Sequence, residues 1–573
     1  MTDTEELDGA TILANALKQQ GIEYVFGIVG VPVIEVAMAM QTAGIKFVAM
    51  RNEQAASYAA SVIGYLTRRP AACLVVSGPG LVHALAGASN AMENCWPMLL
   101  IGGSCERQQE GMGAFQEYPQ VEYARNFCKY SARPSCLQRI PVFVEAAVRI
   151  SLYGRPGVSY LDLPADMITA AVDSSSVVWC QKCPDSPRAH APLEDIRKAL
   201  QVLSAAHKPL VIIGKGAAYS QAEKELQHFL SATGLPFLPT PMGKGVVPDN
   251  HKQCVSAARS KALREADVIL LLGARLNWIL HFGLPPRFQP NVKVIQVDIH
   301  QEELGNNVRP VVALAADVKA ALSQMSMELA NSSNSYPFHH TELWWQDLNK
   351  AIDKNKKAIN ALSADETVPL NYYCAFSKIT EILGENDVVI VSEGANTMDI
   401  GRSMIQNLLP RQRLDAGSFG TMGVGLGFAI AAALWCKETG GKKRVICVEG
   451  DSAIGFSAME LETVCRYKLP VIFLVFNNNG IYSGLDNDSW NYLQEDDMTL
   501  VAPPTALTPE TRYDMVMEAF GGKGRLVRTP EELCKGFKDA MEDEDGAYLF
   551  NILIDPVATR KTQEFSWLTS SKL

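Results

Sequence analysis

The sequence predicts an α/β protein built from three doubly wound parallel-sheet domains. Short apolar, β-branched runs alternate with helical patterns from end to end. Continuous apolar strands between helices belong to parallel sheets covered on both faces. Two stretches rich in Ser, Pro, Asn and charge, residues 173–195 and 326–368, interrupt that alternation and read as inter-domain linkers. The 573 residues also suit three domains at roughly 150–200 residues each. The expected domains are 1–185, 190–345 and 365–573.

The elements follow in order. In the first block, Cys73–Ser77 reads as a strand, Gly78-Pro79-Gly80 as a turn, Leu81–Met92 as a helix and Met98–Gly103 as the next strand. The second block has strands at Pro209–Ile213, Val268–Leu272 and Val294–Asp298. The first two run into Gly214-Lys215-Gly216 and Gly273-Ala274-Arg275. The third has strands at Val388–Val391, Arg444–Val448 and Val471–Phe476. Forty-two glycines suit the tight strand-to-helix turns of such folds. The uncharged stretch Ala416–Cys436 has the length of a membrane span, but its five glycines and short apolar core, Phe428–Trp435, predict a buried helix instead. No membrane span is expected.

Composition excludes several classes. Apolar residues make up 47% and charged residues 20%, ordinary for a globular protein and too apolar for a disordered one. The net charge of −10 argues against nucleic-acid binding. The 13 cysteines are scattered through apolar segments and read as reduced thiols; Cys180 and Cys183 have no second pair with which to hold zinc. The acidic start Met1–Glu6 has no signal-peptide pattern. Ser571-Lys572-Leu573 matches the tripeptide read by the peroxisomal import receptor. The peroxisomal matrix is therefore the expected location, with the cytosol as the alternative.

The chemistry concentrates in Glu449-Gly450-Asp451-Ser452 and, 27 residues after Asp451, in Asn478 within Asn477-Asn478-Asn479-Gly480. Both follow strands, so both lie where parallel sheets bind ligands. Asp451, Asn478 and a carbonyl near Gly480 offer hard oxygens for Mg²⁺, completed by phosphate oxygens and water. Gly450 lets the backbone approach a diphosphate, and a helix expected to begin near Ala453 would aim its amides, beside Ser452, at it.

This pair of motifs resembles the diphosphate-and-magnesium signature of thiamine-diphosphate enzymes. Arg51-Asn52-Glu53-Gln54-Ala55, Ser77-Gly78-Pro79-Gly80, Phe115-Gln116-Glu117 and Gly420-Thr421-Met422-Gly423 resemble other segments of that family, in the family's order and across the whole chain. The resemblance implies a pyrimidine-binding first domain, a nucleotide-fold middle and a diphosphate-binding third. It implies that Glu53, in an apolar pocket, hydrogen-bonds the aminopyrimidine of thiamine diphosphate. It further implies that Gly420 and Met422 hold the pyrimidine edge, that Met422 wedges between the two rings, and that Asn396 and Thr397 contact the diphosphate. Because the family splits this site between subunits, a homodimer or homotetramer is implied.

The middle block narrows the branch. Lys215, Arg259, Arg275 and Asp298, with Arg155 in Gly154-Arg155-Pro156-Gly157, resemble the positions by which oxalyl-CoA decarboxylases and 2-hydroxyacyl-CoA lyases hold ADP or CoA; Arg402 is a further candidate. Oxalyl-CoA decarboxylases have Tyr-Glu where this chain has Phe115-Gln116. That segment, Asn277–Phe282 and Phe565–Leu568 look most like the lyases of peroxisomal fatty-acid α-oxidation. The implied reaction is cleavage of long straight-chain or 3-methyl-branched 2-hydroxyacyl-CoA to formyl-CoA and a fatty aldehyde. Gln116 and Tyr482 are candidates for polar contacts at the reacting carbon, and His83 for a place near the same pocket. The alternatives are oxalyl-CoA decarboxylation and, in another class, an inactive CoA- or ADP-binding regulatory homologue. A dinucleotide dehydrogenase is disfavoured because Gly214-Lys215-Gly216 lacks the third glycine of that fingerprint.

Overall fold

The computed structural model describes residues 6–331, 336–338, 342–440, 443–558 and 560. The chain divides into two compact units. One comprises Met1–Pro187, Phe419–Gly441 and Phe456–Leu469; the other comprises Arg188–Ser418, Lys442–Gly455 and Pro470–Leu573.

In the first unit, β1 (Glu6–Asp8) pairs antiparallel with a late strand described below. The main sheet uses β2 (Tyr24–Gly27), β3 (Lys46–Ala49), β4 (Ala71–Val75), β5 (Met98–Ser104), β6 (Tyr130–Ala132) and β7 (Val158–Pro164). All are parallel, in the spatial order β3-β2-β4-β5-β7-β6. The partner of β1 is β8 (Ala171–Asp173). The helix Glu53–Thr67 buries every residue from Ala55 to Leu66, many of them Ala, Ser or Gly. Small side chains let it pack closely against the helices Pro79–Asn94 and Gly425–Glu438. Tyr65, Trp96 and Phe428 stack between them, with ring centroids 5.1 and 5.3 Å apart. The helix Gly425–Glu438 is the expected buried one, and no helix among the described residues is long and apolar enough to cross a membrane.

The second unit holds two sheets. The five-stranded one uses β9 (Pro209–Ile213), β10 (Phe237–Pro239), β11 (Val268–Leu272), β12 (Lys293–Asp298) and β13 (Val312–Ala315) in the order β10-β9-β11-β12-β13. The six-stranded one uses β14 (Val388–Ser392), β15 (Arg413–Asp415), β16 (Arg444–Gly450), β17 (Val471–Asn477), β18 (Lys523–Val527) and β19 (Tyr548–Leu553). Its order is β15-β14-β16-β17-β19-β18, again all parallel.

Two expectations change. Residues 342–363 of the second linker form a helix whose Trp344 and Leu348 are buried in a core cluster with Leu210, Ile269 and Leu271 of the five-stranded sheet. The indole of Trp344 donates to the Pro209 carbonyl at 3.2 Å. The charged face of this helix dominates its composition, so its buried indole was not apparent in the sequence. The helix expected near Ala453 begins at Asp451 and lasts one turn, to Ile454. Asp451 caps it from within by accepting the Ser452 amide at 2.9 Å.

Candidate active site

In the six-stranded sheet of the second unit, the chain steps from β14 outward to β15, then returns to the other side of β14 as β16. The carboxyl ends of β14 and β16 therefore flank a switch point, where open α/β sheets bind ligands. Gly394 and Gly450 face each other there. Gly394 has φ +92°, and a Cβ on it would stand 3.1 Å from the Gly450 amide nitrogen. Only glycine accepts both demands at little cost. A Cβ on Gly450 would meet only the Thr397 hydroxyl, at 3.6 Å, so the space above this strand end is open. The ten-residue helix Ala395–Met404 starts immediately after Gly394 and carries Asn396 and Thr397 in its first turn. Its leading amides have no intrahelical acceptors and suit an anion.

Asp451, Asn478 and Gly480 meet beside that space. Asp451 is 2% exposed, and its carboxylate accepts the Gly480 amide at 2.9 Å. Both Asn478 and Asn396 donate through Nδ2 to the Tyr482 carbonyl, at 3.0 and 3.4 Å. Their side-chain oxygens are thereby turned away from it. No Lys, Arg or His pairs with Asp451 among the described residues. Burial raises its carboxyl to about 7, although the Ser452 and Gly480 amides pull the other way. A buried carboxylate without a counter-charge beside an amide oxygen is a donor set that a divalent cation completes. Two more acids lie beneath. Glu393 and Glu449 are buried, and burial followed by the charge of Glu393 raises Glu449 well above the usual carboxylate range. The sequence reading had not singled out either as a buried pair, because strand-end acids look like surface residues.

Glu53, Gly420 and Met422 belong to the first unit. Glu53 opens its helix immediately after Asn52, whose side chain caps the Gln54 amide at 2.8 Å. Its side chain is 14% exposed, and Oε2 lies 3.2 Å from His83 Nδ1. The preceding backbone is pinned from outside: Glu460 accepts the amides of Arg51 and Asn52 at 2.9 and 3.0 Å. Glu460 is fully buried, and burial raises its carboxyl. In the sequence it is one acid in an ordinary amphipathic helix. Gly420 is exposed and Met422 half-buried, and Thr421 between them donates to the Asn90 side chain at 2.9 Å.

Gln116 sits in a left-handed conformation (φ +55°) with a buried, unpartnered Oε1. The loop around it is tied down by Glu117, which accepts the amides of Gly111, Gly113 and Ala114 at 2.5, 2.9 and 3.0 Å. These bonds hold the Glu117 carboxyl below its usual range. Behind the loop lies a residue the sequence did not flag. Gln120, 2% exposed, accepts the Gly78 amide at 2.5 Å and approaches the Gly103 carbonyl, the Tyr160 hydroxyl and Asp162 within 2.8–2.9 Å. Asp162 in turn receives Arg133 at 2.6 Å, and Arg133 reaches Glu110 at the loop's start. Gln120→Ala is expected to lower stability by about 1–3 kcal/mol for each buried group left without a partner. Denaturant midpoints of the variant and wild type check this; equal midpoints would show that the network is not needed. Tyr482 is in the second unit, 59% exposed, with φ +76°.

The nucleotide-site candidates divide as well. Lys215 opens a short helix after β9, and Arg275 follows β11. These adjacent strands flank the switch point of the five-stranded sheet, and the Gly216 amide bonds the Gly273 carbonyl there at 2.9 Å. Arg275 donates to the Ser418 hydroxyl at 3.1 Å and Arg259 to the Ile279 carbonyl at 2.6 Å. Asp298 ends β12 and accepts the His300 amide at 2.8 Å. Arg402 is committed to Asp399 and Asp415, at 2.9 and 3.2 Å, so its guanidinium is largely engaged within the protein. Arg155 lies in the first unit, its carbonyl held by Lys129 at 2.7 Å.

Comparison with known proteins identifies the class. Three family models match: the N-terminal TPP-binding domain of thiamine pyrophosphate enzymes over residues 7–123, the central domain over 196–325 and the C-terminal TPP-binding domain over 393–552. The chain is a thiamine pyrophosphate enzyme with the three parallel-sheet domains of that class. It is 56% identical to human 2-hydroxyacyl-CoA lyase 1 over 570 residues, covering 99% of this chain and 98% of that protein. It is 42% identical to the rice 2-hydroxyacyl-CoA lyase, with 96% of each covered. The oxalyl-CoA decarboxylase of Escherichia coli K12 is 38% identical, covering 96% of this chain and 95% of that protein. The chain belongs to the 2-hydroxyacyl-CoA lyase family.

Proposed function

We propose that this protein cleaves the C1–C2 bond of long straight-chain and 3-methyl-branched 2-hydroxyacyl-CoA, releasing formyl-CoA and an aldehyde one carbon shorter. Thiamine diphosphate and Mg²⁺ serve as cofactors. The observation that carries the cofactor assignment is the buried Asp451 carboxylate, without a counter-charge, at a strand switch point. Full-length identity to 2-hydroxyacyl-CoA lyases supports the substrate class, as does Phe115-Gln116 where decarboxylases have Tyr-Glu.

The working domains are 1–185 for the pyrimidine, 190–345 for the CoA nucleotide or ADP and 365–573 for the diphosphate. Asp451, Asn478 and the Gly480 carbonyl hold Mg²⁺. Gly450, Ser452, Asn396 and Thr397 hold the diphosphate; Gly420 and Met422 hold the pyrimidine. When bound, thiamine diphosphate supplies a nucleophilic carbon and an electron sink at the acyl carbon. Glu53 exchanges a proton with the pyrimidine ring through Oε1. Gln116 and Tyr482 offer an amide and a phenol to the oxygens of the reacting carbon. Lys215, Arg259, Arg275 and Arg155 meet phosphate charge, Asp298 meets ribose hydroxyls or the adenine amine, and Arg402 lends its remaining donor capacity to the CoA chain.

Glu53 and Asp451 come together across a homodimer or larger homo-oligomer. Ser571-Lys572-Leu573 and Phe565–Leu568 lie outside the described residues. The tripeptide supports delivery to the peroxisomal matrix by the import receptor, and hence a role in fatty-acid α-oxidation.

The deciding test offers 2-hydroxyoctadecanoyl-CoA and oxalyl-CoA separately to purified protein with Mg²⁺ and thiamine diphosphate. Aldehyde and formate from the first substrate, with little carbon dioxide from the second, are expected. Carbon dioxide from oxalyl-CoA alone would make the protein a decarboxylase. No product from either, despite bound cofactor, would make it an inactive regulatory homologue.

A further inference from the structure

We propose that His83 is a positioning residue for Glu53: its Nδ1–H fixes one carboxylate oxygen, so that the other is presented to the aminopyrimidine. This rests on the assignment of Glu53 to the cofactor's ring made above.

The two side chains stand on neighbouring helices, Glu53–Thr67 and Pro79–Asn94. Glu53 is the first residue of one, and His83 lies just past the first turn of the other. Oε2 and Nδ1 are 3.2 Å apart. One turn further along both helices, Ser57 faces Gly87, where an added Cβ would fall 1.9 Å from the serine hydroxyl. Contacts at i and i+4 on one helix thus meet contacts at i and i+4 on the other as successive rungs. Gly87 sets the closeness of the second rung and thereby the reach of the first. The separation of Glu53 from His83 is a property of two packed helices, not of two mobile side chains.

The chemistry has a direction. An ionised carboxylate only accepts, so Nδ1 carries the proton and donates. That assigns the neutral ring's lone pair to Nε2. Among the described residues Oε1 of Glu53 makes no hydrogen bond, and no Lys or Arg pairs with the carboxylate. One oxygen is fixed and the other is free. The Glu53 side chain is 14% exposed, which limits solvation by water, whereas the imidazole is 61% exposed. A hydrogen bond to the charged form favours it. His83 therefore both orients Glu53 and keeps it ionised until the ring is bound.

Asparagine is the discriminating substitution, because its Nδ2 falls where the histidine Nδ1 stands while Nε2 is lost. The holoenzymes of His83→Asn, His83→Leu and wild type are compared at one pH. The readouts are thiamine diphosphate affinity, kcat and KM, and the near-ultraviolet circular dichroism that distinguishes the amino from the imino form of the bound cofactor. His83→Leu is expected to change the ratio of those forms and to lower kcat by about 10–100-fold, the range for lost supporting hydrogen bonds at cofactor sites, with KM nearly unchanged. His83→Asn is expected to restore both. An unchanged dichroism ratio in His83→Leu overturns the proposal. So does His83→Asn as impaired as His83→Leu, because Nε2 would then be the working atom. Glu53→Gln run in parallel separates the two claims: if it too leaves the ratio and kcat untouched, the assignment of Glu53 has failed rather than that of His83.

Discussion

Glu53→Gln is expected to lower kcat by about 10²–10⁴-fold, the range for losing a positioned proton-transfer group, while thiamine diphosphate and Mg²⁺ still bind. Glutamine keeps the length of the side chain, and its amide still offers a donor and an acceptor at the carboxylate's position. What it loses is the ability to take up and return a proton. The surrounding frame should survive the change. Asn52 caps the helix and Glu460 holds the Arg51 and Asn52 amides without using the Glu53 side chain. The loss should therefore appear in kcat and in the rate at which the cofactor's acidic carbon proton exchanges with deuterium, both measurable on the purified holoenzyme. A variant with wild-type exchange and turnover would remove Glu53 from the mechanism.

Asp451→Asn is expected to abolish activity by removing the cation's charged ligand, and its pH behaviour identifies the cause. Burial raises the Asp451 carboxyl from 3.8 to about 7 in the metal-free protein. The folded state thus favours the protonated form. This contribution to stability is present below the unfolded pKa and is lost as pH rises through about 7. Mg²⁺ requires the ionised form and supplies the missing counter-charge, so it competes with the proton. The thermal stabilisation from Mg²⁺ with thiamine diphosphate should grow from about pH 6 to about pH 8 in the wild type. In Asp451→Asn it should be absent throughout, and the metal-free variant should be at least as stable as metal-free wild type at the upper end. Thermal unfolding with and without both cofactors measures this. Equal stabilisation of the variant would mean that the cation is held elsewhere.

The fold was largely legible because parallel strands buried on both faces leave continuous apolar runs. Val268–Leu272 and Val471–Phe476 are as plain in the sequence as in the sheets. The positions of Asp451 and Asn478 were legible for a related reason: each follows such a run by one or two residues. What the sequence hid lies where partners are remote along the chain. Gln120 is an unremarked loop glutamine until Gly78 and Asp162, both 42 residues away, converge on it. Glu460 meets Arg51 across 409 residues. Trp344 sits in a helix whose composition is mostly charged, and one buried indole does not alter that pattern. Arg402 read as a spare cation because nothing in its neighbourhood announces that Asp415, on the next strand, will claim it.

The strand orders carry a historical implication. Counted from the first strand of each, the sheets β3-β2-β4-β5-β7-β6 and β15-β14-β16-β17-β19-β18 follow one pattern, 2-1-3-4-6-5. Two six-stranded sheets with the same sequence of outward steps, return and final exchange are the signature of a duplicated ancestral gene. The copies then diverged in what they carry at corresponding places: an acid on a helix start in one, a cation-binding acid at a strand end in the other. An ancestor with a single copy would have had to associate with itself to bring two such ends together, so self-association would be older in this lineage than the present chain.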